Sequence, residues 1–212
     1  MIIAVDGPAA SGKGTLAAGL ARHFGLPHLD TGLLYRAVGL AVAGSIEADD
    51  FEARAGAAAR ALDPTHLDPA RLGTAEAAML ASRVARIPEV RAALIDFQRQ
   101  FAAQPGGAVL DGRDIGTRIS PEADVKLFIT ADTRVRAERR AAQLRRRGVA
   151  VDGEAIYQQI ASRDEADRNN PAGAFYAAPD AHLLDTTELD IDAALRAAIA
   201  IVEAARAGKA SQ

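Results

Sequence analysis

Residues 2–15 read IIAVDGPAASGKGT, and the fold turns on how this stretch changes character halfway along. Ile2-Ile3-Ala4-Val5 is an apolar, β-branched run too short for a helix, which predicts a buried strand. Asp6-Gly7-Pro8 ends that run. Beyond Lys13, Leu16, Leu20 and Phe24 recur every four residues on one helical face, and Gly25 with Pro27 closes the helix. A glycine loop between a strand and a helix can wrap an anion, because its backbone turns N–H groups inward and the helix N-terminus adds partial positive charge. Gly7, Pro8, Ala9, Ala10, Ser11, Gly12, Lys13, Gly14 and Thr15 are therefore expected to hold a nucleoside triphosphate, with Lys13 on its β- and γ-phosphates. The usual hydroxyl directly after the lysine is displaced by Gly14 to Thr15.

Working outward, a second strand is expected at His28-Leu29 and a helix from Leu33 towards Val42. Residues 45–104 read as helices only, broken at Asp63-Pro64, Asp68-Pro69, Gly73 and Ile87-Pro88. Strand patterning resumes at Ala108-Val109-Leu110 and at 125–129. Thr133 is the expected N-cap of a helix running through Arg147 to Gly148. A last strand, His182-Leu183-Leu184, precedes a helix with Ile191, Leu195, Ile199 and Val202 on one face. Alternating strands and helices imply an α/β fold with a parallel sheet, carrying 45–104 as a helical insertion.

Composition narrows the function. The chain has 212 residues, 49% of them apolar and 25% charged, as expected of one globular core with a small appended lobe. No cysteine is present, so disulfides and thiolate metal or redox sites are excluded, which fits the cytoplasm. A net charge of -3 argues against a general nucleic-acid binder. Neither a membrane span nor a signal segment is legible, and no strongly apolar exposed face suggests more than a monomer. Lys13, Lys126 and Lys209 are the only lysines among 25 basic residues, so arginine content by itself says little.

Position says more. Asp30-Thr31-Gly32-Leu33-Leu34-Tyr35-Arg36 follows the second strand, at the edge where such sheets bind ligands, and Arg36 can contact a phosphate with two prongs. Asp30 or Thr31 can equally cap a helix. Asp111-Gly112-Arg113-Asp114 follows the third strand, where a carboxylate beside a phosphate loop is placed to hold Mg²⁺, directly or through water. Seven arginines lie between Arg134 and Arg147; Arg136, Arg139 and Arg140 share a face suited to spreading transition-state charge, or else a solvated one. Arg163-Asp164-Glu165-Ala166-Asp167-Arg168 reads as a mobile cover or a charged helix end. His23, His28, His66 and His182 show no metal spacing; His23 reads as surface, His28 and His182 as strand-edge residues. Phe97 and Phe101 read as packing.

These segments, in this order, resemble the bacterial cytidylate kinases over essentially the whole length, with Asp111-Gly112-Arg113-Asp114 and its following Gly116-Thr117 the most particular match. The resemblance implies transfer of a phosphoryl group from ATP to CMP or dCMP with Mg²⁺. It implies a P-loop three-layer fold with a five-stranded parallel sheet: core 1–44, 105–147 and 177–212, a largely helical monophosphate lobe 45–104, and a lid 148–176. By match, Thr31, Asp114, Ser82 and Arg163 address the cytosine, Arg36 and Arg113 hold the acceptor phosphate, and Tyr35 and Arg91 shape that pocket. Lys13 with the loop holds the donor; Arg136, Arg139 and Arg140 are donor-side arginines; Thr15 and Asp111 are the metal candidates. The chain departs from the family's pattern twice. Leu62 to Ser82 lacks the family's β-rich insertion, and Asn170 stands where the family has an arginine, a charge that Arg168 is expected to replace.

Overall fold

Five short apolar runs pair edge to edge into one sheet in the computed structural model, which describes residues 1–146, 148–170 and 175–210, the side chains of Thr65, Lys209 and Ala210 excepted. The strands are β1 (Ile2–Asp6), β2 (His28–Asp30), β3 (Ala108–Gly112), β4 (Val125–Thr130) and β5 (His182–Asp185). Their order is β2-β3-β1-β4-β5, and every pairing is parallel. The helices are α1 (Lys13–Phe24), α2 (Thr31–Ala41), α3 (Phe51–Arg60), α4 (Pro69–Leu72), α5 (Ala75–Val84), α6 (Pro88–Ala102), α7 (Thr133–Arg146), α8 (Gly153–Arg168) and α9 (Ile191–Ala210). None is long and apolar enough, over the described residues, to cross a membrane.

Alternation along the strands divides the core into two layers. Ile3, Val5, Val109 and Leu127 point to the face covered by α1 and α9. Ala4, Leu29, Ala108 and Leu110 point to the other, covered by α2, α3 and α6. A third, small cluster of Ala137, Ile156 and Ile160 joins α7 to α8. Between 45 and 104 the described elements are helices and 3₁₀ turns alone, so the stretch from Leu62 to Ser82 is a short helical linker and not a strand-bearing insertion.

Three boundaries differ from expectation for local reasons. Helix α2 starts at Thr31 instead of Leu33, because the Asp30 carboxylate accepts the Gly32 N–H at 2.9 Å and caps it there. Asp132, not Thr133, caps α7: its carboxylate accepts the N–H groups of Arg134 (2.7 Å) and Val135 (3.3 Å), leaving the Thr133 hydroxyl to accept from Arg136. On α9 the buried stripe is Ala194, Ala198 and Val202, while Ile191 is 64% exposed. Alanines win there because α9 lies close to α1; a Cβ on Gly19 would stand 2.6 Å from Leu195 Cδ1. Arg147, expected in α7, and Pro171, Gly173 and Ala174 lie outside the described residues.

The helical lobe is fastened to the core through α2 and α5. Gly39 permits that approach, since a Cβ at this buried position would lie 2.7 Å from Leu80 Cβ and 2.9 Å from the Leu80 carbonyl carbon. Backbone cannot yield as a side chain can, so Gly39→Ala is expected to lower stability by about 1–3 kcal/mol, read as a shift of the urea midpoint.

Candidate active site

The carboxyl ends of β1, β2 and β3 meet at one edge, with Asp6 beside Gly112 and Asp30 beside Asp111 in the strand register. Residues 7–12 leave β1 there as a tight loop. A Cβ on Gly7 would collide with the Ile129 carbonyl, and both Ala10 (φ 59°) and Gly12 (φ 89°) are left-handed. Such reversals aim successive N–H groups inward. No side chain caps α1 and no acidic residue sits in its first turn, so its free N–H groups and positive dipole end are left for a ligand. Ser11 Oγ is buried there with no partner among the described residues.

Lys13 begins α1 on this floor. Burial pushes its ammonium down to about 7, with Arg113 and Arg163 adding to the effect and Asp111 and Asp30 opposing it. Asp111 is 2% exposed; its Oδ1 lies 2.8 Å from His28 Nε2, and its carbonyl accepts the Thr31 hydroxyl at 2.8 Å. Burial raises the Asp30 carboxyl, and Asp111 alongside raises it further. Among the described residues no three His, Cys, Asp or Glu side chains gather as a metal cage. The Asp111 carboxylate near Gly14 and the exposed Thr15 hydroxyl are hard oxygen donors, which fits a magnesium ion completed by phosphate and water.

Facing Lys13 is a group of arginines in mutual repulsion. Burial lowers Arg163 to about 10, and Arg113, Arg36 and Arg140 lower it further against Asp167; its Nε is buried without a partner among the described residues. Burial likewise lowers Arg36, with Arg140 and Arg113 adding to it against Asp30. Arg113 Nε donates to Asp167 Oδ2 at 2.7 Å, and its guanidinium lies 5.9 Å from the Phe175 ring. Arg36 Nη1 donates to the Leu72 carbonyl at 2.8 Å, linking α2 to the end of α4. Deeper in, Arg91 Nη2 donates to Asp114 Oδ2, and the Arg91 Nε has no partner among the described residues. Burial raises the Tyr35 phenol beside that pair. Ser82, on α5, spends its hydroxyl on the Ala78 carbonyl at 3.2 Å.

Other expected site residues have different work. Arg136 is 3% exposed and commits every nitrogen: to the Ala131 and Ala9 carbonyls, to Thr133 Oγ1, and twice to Asp164 at 3.1 and 2.6 Å. It ties α8 to the phosphate loop and has no N–H left over for a ligand. Arg139 holds the loop after β5 through Thr186 and the Leu189 carbonyl, and Thr186 Oγ1 reaches the Ser11 carbonyl at 3.3 Å. Arg140 keeps to the site's field and donates to Gln143 at 2.7 Å. Arg168 is exposed and its Nε donates to the Asp164 carbonyl at 3.3 Å; it does not join the arginine group, because it sits about 140° around the α8 axis from Arg163. Asn170 instead reaches the Ala85 carbonyl at 3.4 Å.

The sequence assigned no specific contact to His28, read as a strand-edge residue, or to Asp164 and Asp167 within the 163–168 segment. The Arg163/Asp167 spacing of four was the available signal for Asp167. Nothing local distinguishes His28, whose partner lies 83 residues away.

A family model for cytidylate kinase matches residues 3–204. A curated cytidylate kinase of Xanthobacter autotrophicus is 58% identical over 209 residues, covering 99% of this chain and 100% of that one. One from Rhodopseudomonas palustris (strain BisA53) is 56% identical over 210 residues, 99% of each chain. Among solved structures, an uncharacterized protein from Eubacterium ventriosum shares the fold, with a TM-score of 0.58 and 16% identity over 96% of this chain and 98% of that one.

Lys13 leads to a test. Held down to about 7, it is partly neutral above that pH, and bound phosphates raise it again. ATP binding at pH 7.5 is therefore expected to take up protons and to weaken as pH rises through 7–8. Calorimetry in buffers of differing ionisation enthalpy measures the uptake; equal uptake by Lys13→Met would show that it originates elsewhere.

Proposed function

The chain belongs to the cytidylate kinase family, and on that premise we propose that it transfers the γ-phosphoryl group of ATP to CMP or dCMP, giving ADP and CDP or dCDP. The observation that carries this reading is the Arg163 guanidinium, buried among Arg36, Arg113 and Arg140 with its Nε unmatched. Such a site is costly when empty and favourable once a multiply charged anion enters. The phosphate loop and Lys13 take the donor phosphates, while Arg36, Arg113 and Arg163 take the acceptor phosphate. Arg139 serves the donor by fixing the loop after β5 beside Ser11, and Arg140 adds charge between the two phosphates. Arg136 acts through Asp164, keeping α8, the closing element over the site, in register with the phosphate loop.

No general base is needed, because the acceptor is already a phosphate oxyanion and the obstacle is repulsion between two anions. Arginines that neutralise both ends lower that barrier and align the groups for in-line transfer. Magnesium, held by Thr15 and Asp111 directly or through water, supplies further neutralisation on the donor phosphates when bound. Base choice rests on Asp114. Arg91 takes one of its carboxylate oxygens, and the other accepts the cytosine amino group. The Thr31 hydroxyl donates its hydrogen bond to the Asp111 carbonyl, so its oxygen faces the base as an acceptor as well. Arg163, expected at the base, is assigned here to the phosphate, because it stands among Arg36, Arg113 and Arg140. Uracil would set an acceptor against the Asp114 carboxylate. That both subsites are assigned within one chain supports a monomer, and free nucleotides as substrates support a cytoplasmic setting.

Coupled assays with ATP test the reading: turnover is expected on CMP and dCMP, with kcat/KM for UMP lower by about 10–100-fold. Faster turnover of UMP or AMP would overturn it. Arg163→Ala is expected to cost about 10²-fold in kcat, whereas Arg168→Ala stays within about twofold; the reverse result would return Arg168 to the acceptor site.

A further inference from the structure

Asp6 has no part in the contacts assigned so far, yet it is a 5% exposed carboxylate at the end of β1. Both its oxygens are engaged. Oδ1 accepts the Ile115 N–H and Oδ2 the Gly116 N–H, each at 2.8 Å, across more than a hundred residues of sequence. Those two amides open a π-helical turn, Ile115–Ile119, closed by the Ile119 N–H on the Asp114 carbonyl (3.2 Å) and the Ser120 N–H on the Ile115 carbonyl (2.7 Å). The first N–H groups of such a turn have no partner within it, and Asp6 supplies one from another strand. Gly116 keeps the approach open: a Cβ there would meet Lys126 Cδ at 3.1 Å and Asp6 Oδ2 at 3.4 Å.

What lies on either side of the two hydrogen bonds gives them meaning. Asp6 is followed directly by Gly7 and the phosphate loop, whereas Ile115 is preceded directly by Arg113 and Asp114. One carboxylate therefore joins the base of the donor loop to the turn that presents the acceptor-side arginine and the base-reading aspartate. We propose that Asp6 is a positioning residue, which sets the acceptor turn against the phosphate loop and so fixes the separation and alignment of the two phosphates. The inference rests on the kinase reading above and adds to it a residue that touches neither substrate.

The electrostatics agree with the geometry. Burial pushes the Asp6 carboxyl up to about 6, and Asp114 raises it too, while the Gly116 and Ile115 N–H groups and Arg113 pull it down. Another charged group packed here is Lys126 of β4, whose stem lies on Gly116 and whose ammonium holds Asp180 at 2.8 Å. At neutral pH the group is ionised and accepts at both oxygens. Protonation below about 6 turns one oxygen into a hydroxyl facing an N–H donor.

Asp6→Asn places an NH₂ against one of the two amides and tests this directly. Per folded molecule, kcat is expected to fall about 10–100-fold, the scale of a small misalignment of reacting groups. KM for CMP should rise while the dissociation constant for ATP changes by less than about threefold, since Lys13 and the loop remain. The acid limb seen in the wild-type pH profile should be flatter in Asp6→Asn; the acceptor's own phosphate titrates in both proteins, so the difference between profiles isolates Asp6. Asp6→Glu, which keeps charge and both acceptors but pushes the turn outward, should show the same split and serves if the Asn protein does not fold. Wild-type kcat and CMP KM in either folded variant would overturn the assignment. A wild-type protein inactive on CMP would instead sink the kinase reading, and this inference with it.

Discussion

β1 and β3 lie side by side and run the same way, and everything at the site depends on that pairing. In a parallel pair both chains leave the sheet at the same edge, so the phosphate loop after Asp6 and the turn after Gly112 must emerge together. β2, on the far side of β3, delivers Asp30 and Thr31 to the same edge. Three segments separated by up to a hundred residues thus reach one small volume before any side chain is chosen. This is the crevice at strand ends where open α/β sheets bind ligands. What remained for the side chains was to line it with a group of cations, Lys13, Arg36, Arg113 and Arg163, set against Asp30, Asp111 and Asp167.

That charge is divided between two kinds of arginine, and the division is made by hydrogen-bond supply. A buried guanidinium is tolerable when every N–H finds an acceptor, as in Arg136, whose partners come from the phosphate loop, the end of β4, α7 and α8. It then holds elements together and is lost to a ligand. Arg163 lacks that supply and shares its surroundings with other cations. Arg113 stands between, donating to Asp167 with its Nε. A guanidinium left with unmatched N–H groups keeps hydrogen-bonding capacity that a fully matched one has spent.

Much of this was legible one residue at a time. The helical face Leu16, Leu20, Phe24, the break at Gly25 and the strand before Asp6 carry their own periodicity, and all three are found as read. The loop 7–15 and the Asp111–Asp114 element could be assigned because their chemistry is written in adjacent residues. Boundaries failed where a neighbour's side chain decided them, as Asp30 and Asp132 did by capping α2 and α7. On α9 Val202 is buried as read and Leu195 and Ile199 pack partly on the core, with Ala194 and Ala198 buried beside them, while Ile191 is exposed.

Sequence alone, then, determined the order of strands and helices, the phosphate loop, the all-helical character of 45–104 and the concentration of arginine, because each is encoded within a few turns of chain. Only the tertiary structure decided that Arg136 has every N–H matched while Arg163 does not, that His28 reaches Asp111, and that Asp6 holds the turn carrying Asp114. Those facts depend on where acceptors from distant segments come to lie. Hydrogen bonds act over about 3 Å, and no local pattern records which carbonyl or carboxylate the fold will bring within that reach.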